Sequence, residues 1–179
     1  CAILTDKEEI GSVGATGMNS NFFENVIAEL LCAAGIQGDI AVRRMLRNSF
    51  MLSSDVSAAC DPSYASVFEK KNTAMLNMGV CFNKYTGSRG KSGASDANAE
   101  FIARLRRIMD DAGVSFQTAE LGKVDAGGGG TIAKFMANRN IDTIDAGVPV
   151  MSMHAPFELV AKLDCYMTYK GVLAAYSDN

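Results

Sequence analysis

Thr5-Asp6-Lys7-Glu8-Glu9-Ile10-Gly11-Ser12 follows directly on the apolar run Ala2-Ile3-Leu4, and the rest of the chain is read from it. The apolar run predicts a strand, which puts both glutamates at a strand end. Neighbouring side chains diverge there, so one carboxylate can hold a metal ion while the other handles a proton. A Glu-Glu pair alone is more at home in a solvated acidic turn. The deciding context lies further along, where the only histidine and another carboxylate sit in comparable places.

Gly11, Gly14 and Gly17 loosen the backbone up to Asn21, the expected cap of a helix over 22–34. Within it Phe23, Val26, Ile27, Leu30 and Leu31 recur at helical spacing, and Gly35 ends it. A second helix is expected over 39–48. The apolar strand Phe50-Met51-Leu52 then stops at Ser53-Ser54-Asp55, again leaving a carboxylate past a strand end. Pro62 can open a helical turn in the mixed segment that follows. Met78-Gly79-Val80-Cys81-Phe82 reads as a strand feeding the polar loop 84–93. That loop contains Gly90-Lys91-Ser92, but a phosphate-binding loop needs a glycine where Tyr85 stands, so the nucleotide reading fails on spacing.

Ser95 or Asp96 is the expected cap of a helix striped by Ala97, Phe101, Leu105, Ile108, Met109 and Ala112 and stopped by Gly113. After a strand over 114–121, Gly127-Gly128-Gly129-Gly130-Thr131 is expected to open a helix through 138. Its bare N–H groups suit a carboxylate or a developing oxyanion, with a flexible turn as the alternative. A last strand over 144–153 ends at His154-Ala155-Pro156, and a long helix starts at about Phe157. Strands alternating with helices predict an α/β fold in which helices sandwich a mostly parallel central sheet.

With 179 residues, 48% of them hydrophobic, the chain can bury one sizeable core and reads as one domain over 1–179. A net charge of -3 gives no reason to expect nucleic acid, and the arginines at 43, 44, 47, 104, 106 and 107 fall on predicted helices. No apolar run reaches the length of a membrane span. Five scattered cysteines without a Cys-x-x-Cys pair fit reduced side chains in a cytoplasmic protein. The start at Cys1, directly on an apolar run, leads us to expect the C-terminal piece of something longer.

Glu9, Asp55 and His154 each follow a predicted strand, and ligands of open α/β sheets bind where strand ends converge. Carboxylate oxygen with imidazole nitrogen suits zinc or a related divalent ion. Asp6-Lys7-Glu8-Glu9-Ile10-Gly11-Ser12, Ser53-Ser54-Asp55 with Asp61-Pro62-Ser63-Tyr64 behind it, Gly129-Gly130-Thr131-Ile132 and Val150-Met151-Ser152-Met153-His154-Ala155-Pro156 occur in this order. Together they resemble the aspartyl aminopeptidase family of dinuclear zinc metallopeptidases, in the C-terminal part of a bacterial member. The resemblance implies a phosphorylase/hydrolase-like catalytic domain, incomplete here, that removes N-terminal residues from peptides and assembles into homo-oligomers. Glu8 matches the general base, Glu9 and His154 two ligands of one zinc, and Asp55 a ligand of the other. Lys84 resembles a lysine that contacts substrate, and Gly129, Gly130 and Thr131 suit holding its backbone. Two ions about 3.5–4 Å apart, zinc or another divalent metal, would lower the pKa of a shared water and polarise the scissile carbonyl.

The family's further histidine and bridging aspartate come from sequence upstream of the glutamate pair. Without them the chain is expected to be inactive alone and to need the missing N-terminal part of the protein. Ala58 stands where aspartyl-specific relatives commonly carry a histidine, so a neutral or acidic N-terminal residue fits equally. Two other readings are a non-catalytic assembly module of the same fold and another co-catalytic metallohydrolase, such as a deacylase.

Overall fold

Phe50–Ser53 (β1) sends its side chains alternately into two apolar layers: Phe50 and Leu52 into one, Met51 into the other. The computed structural model describes residues 1–90, 92–95 and 97–178. Two helices precede β1, Phe22–Ala33 (α1) and Asp39–Arg47 (α2). After it come Ser57–Ala58 (β2), Val80–Asn83 (β3), Ala99–Asp111 (α3), Phe116–Ala119 (β4) and Ala133–Ala137 (α4). Asp142–Gly147 (β5), Pro149–Met151 (β6), Leu159–Val160 (β7) and Lys162–Ser177 (α5) complete the order.

The central sheet has the order β1-β5-β3-β4. β1 is parallel to β5 and β3 to β4, while β3 and β5 meet antiparallel. The helix-sandwiched, mostly parallel sheet predicted from the pattern is therefore present. A second sheet, β2-β6-β7, continues from the first, with β2 parallel to β6 and β7 antiparallel to it. On one face of the central sheet Val80, Phe82, Ile144 and Ala146 meet the α3 stripe Phe101, Leu105, Ile108 and Met109. Each large side chain so buried contributes roughly 1.5–3 kcal/mol. The opposite face carries Met136 of α4 and Leu46 of α2 with Met18, Ile132 and Ile141.

A buried ionisable group locks α5 to this sheet. Asp164, in the first turn of α5 and 0% exposed, accepts the backbone N–H of Asn77 at 2.8 Å and of Gly79 at 2.7 Å. Those residues hold φ values of 65° and 89° in the turn that feeds β3. Asp164→Ala leaves both donors without their acceptor and is expected to cost roughly 2–3 kcal/mol in denaturant melts, with Asp164→Asn losing less.

Several expectations need correction. Residues 1–5 form no strand: Leu4 is 99% exposed, and only Asp6 makes a lone bridge, to Gly17. The glutamate pair thus follows no strand end. The cap of α3 is Asn98, whose Oδ1 accepts the Phe101 N–H at 2.8 Å; Ser95 lies upstream of the helix and Asp96 lies outside the described residues. Helix α4 begins at Ala133, so the glycine run is a loop ahead of it, as the poor helix propensity of glycine dictates. The expected strand over 144–153 is two strands in different sheets, β5 and β6. The final helix starts later than Phe157 because Leu159 and Val160 pair with Met151 and Val150 instead.

Candidate active site

The glutamates ride on a loop that closes on itself. Glu8–Ile10 is a single 3-10 turn flanked by Lys7 and Gly11 in the left-handed region, and the Gly11 N–H returns to the Glu8 carbonyl at 2.8 Å. Thr16 donates to Asp6 Oδ2 at 2.7 Å, Lys7 Nζ donates to the same carboxylate, and these bonds pin the two ends of the loop. The Lys7 bond is the main reason the Asp6 carboxyl lies below the usual carboxylate range. Ser12 N donates to Lys7 O at 2.8 Å, and Gly17 passes so near that a Cβ would sit 2.3 Å from Ser12 O. Glu8 is half-buried and Glu9 exposed.

Asp55 sits where the chain leaves β1 for β2, half-buried, with its Oδ1 accepting the Val56 N–H at 2.7 Å. β5 crosses into β6 alongside it, so close that a Cβ on Gly147 would stand 1.5 Å from Asp55 O. His154 follows β6. Ser152 and His154 have φ of 60° and 66°, so the chain turns sharply, and the His154 N–H donates to Glu158 Oε1 at 2.6 Å. The imidazole is exposed.

These groups are close enough to act on one another. The Glu8 carboxyl is pushed up, first by burial and then by the charges of Asp55 and Glu9, while His154 pulls it down. Asp55 is also pushed up by burial and by Glu9, against the Val56 N–H and His154. The charges of Glu9 and His154, on separate segments of the chain, thus reach both Glu8 and Asp55. Each of the two raised acids is easier to ionise beside a cation.

A further acid lies beneath them. Asp145 of β5 is 4% exposed and is pushed up to about 7, chiefly by burial, with the Asp55 charge adding and the Ser53 and Thr131 hydroxyls pulling back. Thr131, expected to touch substrate, instead donates to Asp145 Oδ2 at 3.0 Å from a buried position. Ahead of it, the Gly129 carbonyl accepts the Gly87 N–H at 2.5 Å, which joins the glycine loop to the loop after β3. Gly130 is exposed, and no atom lies within 4 Å of where its Cβ would be. Lys84 leaves β3 toward the other end of the sheet from Asp55, because β3 runs against β5, pairing Cys81 with Gly147 and Asn83 with Asp145. It lines a hollow of about 370 Å³ with Phe82, Ile102, Leu105, Arg106 and Ile144.

The description "Aminopeptidase I zinc metalloprotease (M18)" belongs to a family model that matches residues 1–176. The chain belongs to the M18 family. A probable M18 family aminopeptidase 1 of Clostridium acetobutylicum is 57% identical over 172 residues, which are 96% of this chain and 37% of that protein. The crystal structure of aminopeptidase I from the same organism superposes with a TM-score of 0.85 at 55% identity, over 98% of this chain and 37% of the other. The M18 aminopeptidase structure from Thermotoga maritima gives 0.89 at 44% identity, over 95% and 38%. The chain thus spans under two-fifths of the length of these M18 relatives.

An M18 zinc centre needs oxygen and nitrogen donors, and Glu9, Asp55 and His154 are right in kind. They are short in number: among the described residues no three His, Cys, Asp or Glu side chains are gathered closely enough to hold one ion. The sequence reading passed over Asp145 and Ser53. The available signal was a lone carboxylate inside the otherwise apolar or small Ile144-Asp145-Ala146-Gly147. Among the described residues no helix is long and apolar enough to cross a membrane.

Proposed function

We propose that this chain carries the proton-transfer group and three of the metal donors of a zinc aminopeptidase acting on peptide N-termini. The observation that carries this reading is that Glu9 and His154, on separate segments, both act on the carboxyls of Glu8 and Asp55. Glu9 and His154 would hold one zinc and Asp55 a second, other divalent ions being alternatives. When bound, the metal supplies an activated water and a polarised carbonyl. Glu8 Oε takes the proton of the attacking water and returns it to the leaving amine, a role that its raised affinity for a proton suits. Gly129 and Gly130 offer backbone groups to an extended peptide, with Lys84 as a further substrate contact.

The remaining donors come from residues outside these 179, in a longer chain or a second one, and the 179 residues alone do not turn over. Assay of the isolated chain with zinc against aminoacyl substrates is expected to give no turnover and fewer than about two tightly held ions per chain. Turnover that needs no partner and disappears in Glu8→Gln would show the donor count to be wrong. A homo-oligomer belongs to the same proposal. Phe22, Val26 and Leu30 on α1 and Tyr166, Tyr169 and Leu173 on α5 are large apolar or aromatic side chains between 41% and 63% exposed. Such faces ordinarily find a partner.

A further inference from the structure

Asp145 has no task in the chemistry above, yet it stands in the middle of the central sheet, in register with Ser53 on one side and Asn83 on the other. Its Oδ2 receives the Thr131 hydroxyl at 3.0 Å, and the same Thr131 oxygen accepts the Ala133 N–H at 3.3 Å. The threonine is thereby fixed at both its donor and its acceptor side. Across the β1–β5 register Ser53 is 1% exposed, and its hydroxyl and Asp145 Oδ1 are both buried without a hydrogen-bond partner. Buried polar groups rarely stay unpaired, and the Ser53 hydroxyl already draws the Asp145 carboxyl down, so the two are the natural partners of one another. Each tether leads to a different part of the site. Ser53 immediately precedes Ser54-Asp55, and Thr131 ends the glycine run whose Gly129 is tied to Gly87.

We propose that Asp145 is a positioning residue: through Ser53 and Thr131 it sets the separation between the end of β1 that carries Asp55 and the glycine loop over 127–130. A peptide backbone lying on that loop is then held at a fixed offset from the donor carboxylate. This substrate-facing part rests on the aminopeptidase reading, whereas the tether itself does not. The role needs two hydrogen bonds and no charge, so an amide of the same shape fills it. The carboxamide oxygen of an asparagine accepts from Thr131 and its N–H faces Ser53.

The test is made in the full-length enzyme with Asp145→Ala, Asp145→Asn and Thr131→Val, read by amide hydrogen exchange over 127–133 and by kcat and KM. Asp145→Ala and Thr131→Val are each expected to speed exchange in that segment about tenfold and to lower kcat by a similar factor, with KM changing less. Asp145→Asn restores both, and the Asp145→Ala, Thr131→Val pair is no worse than either alone. Additive losses in the pair, or unmoved exchange in Thr131→Val, overturn the positioning role. If Asp145→Ala fails to fold, Thr131→Val decides alone, because it keeps the side-chain shape. An enzyme with no peptidase activity refutes the aminopeptidase reading, and the exchange rates still decide the tether.

Discussion

Glu8→Gln, placed in an enzyme that contains this chain, is expected to lose about 10²–10⁴-fold in turnover while its zinc content and melting temperature stay where they were. The separation of effects follows from what each atom of the residue does. The Glu8 backbone carbonyl closes the 3-10 turn with Gly11, and glutamine keeps that bond. Among the described residues the carboxylate makes no hydrogen bond; it is only half-buried, and it is the acid that burial, Asp55 and Glu9 together push upward. Removing its ionisation therefore takes away a proton acceptor and relieves like-charge crowding. Glu9→Gln and His154→Ala should give the opposite pattern, loss of tightly held zinc before loss of anything else. If Glu8→Gln instead empties the metal centre, Glu8 is a ligand and the division of labour between the two glutamates is the reverse of the one proposed.

Gly147→Ala has the second large effect, and it reaches the site through backbone alone. A Cβ at this position would lie 1.5 Å from the Asp55 carbonyl oxygen and 2.6 Å from its carbon, with Val56 Cα at 3.2 Å. Backbone atoms have no rotamer with which to give way, so β5 or the β1–β2 crossing must move. Overpacking of a well-packed site costs typically about 1–3 kcal/mol, and a contact this short belongs at the upper end or beyond. The displaced segment carries Asp55, so metal affinity falls with stability. Equilibrium denaturation and zinc titration of the variant check both, and an unchanged midpoint with full zinc loading would show that the β1–β2 crossing does not press on Gly147.

Local pattern sufficed for α1, α2 and α3. The α3 stripe from Phe101 to Met109 and the glycine stop at 113 specify that element from its own residues, and Asp39–Arg47 follows the same logic. The candidate site residues were also picked out locally, from two adjacent glutamates, Ser-Ser-Asp after an apolar run, and Ser-Met-His-Ala-Pro. What escaped depended on partners remote in sequence. Leu159 and Val160 read as part of a helix until Val150 and Met151 are available to pair with them. The apolar run 144–153 reads as one strand, since nothing in it shows that Asp55 will press against Gly147 and divide it between two sheets. Asp145 looks like a misplaced charge until Ser53 and Thr131 arrive on either side. The run Ala2-Ile3-Leu4 has strand-forming side chains and no strand beside it among the described residues.

The proposed donors stand on three separately built supports: a loop pinned by Asp6, Lys7 and Thr16, the crossing at Asp55, and the turn that caps the three-stranded sheet. A cation held by Glu9 and His154 would act as a rivet between the loop and the turn. Loading with metal would then toughen the region against heat and proteolysis by an amount that grows with the logarithm of free ion concentration, whether or not any peptide is cut.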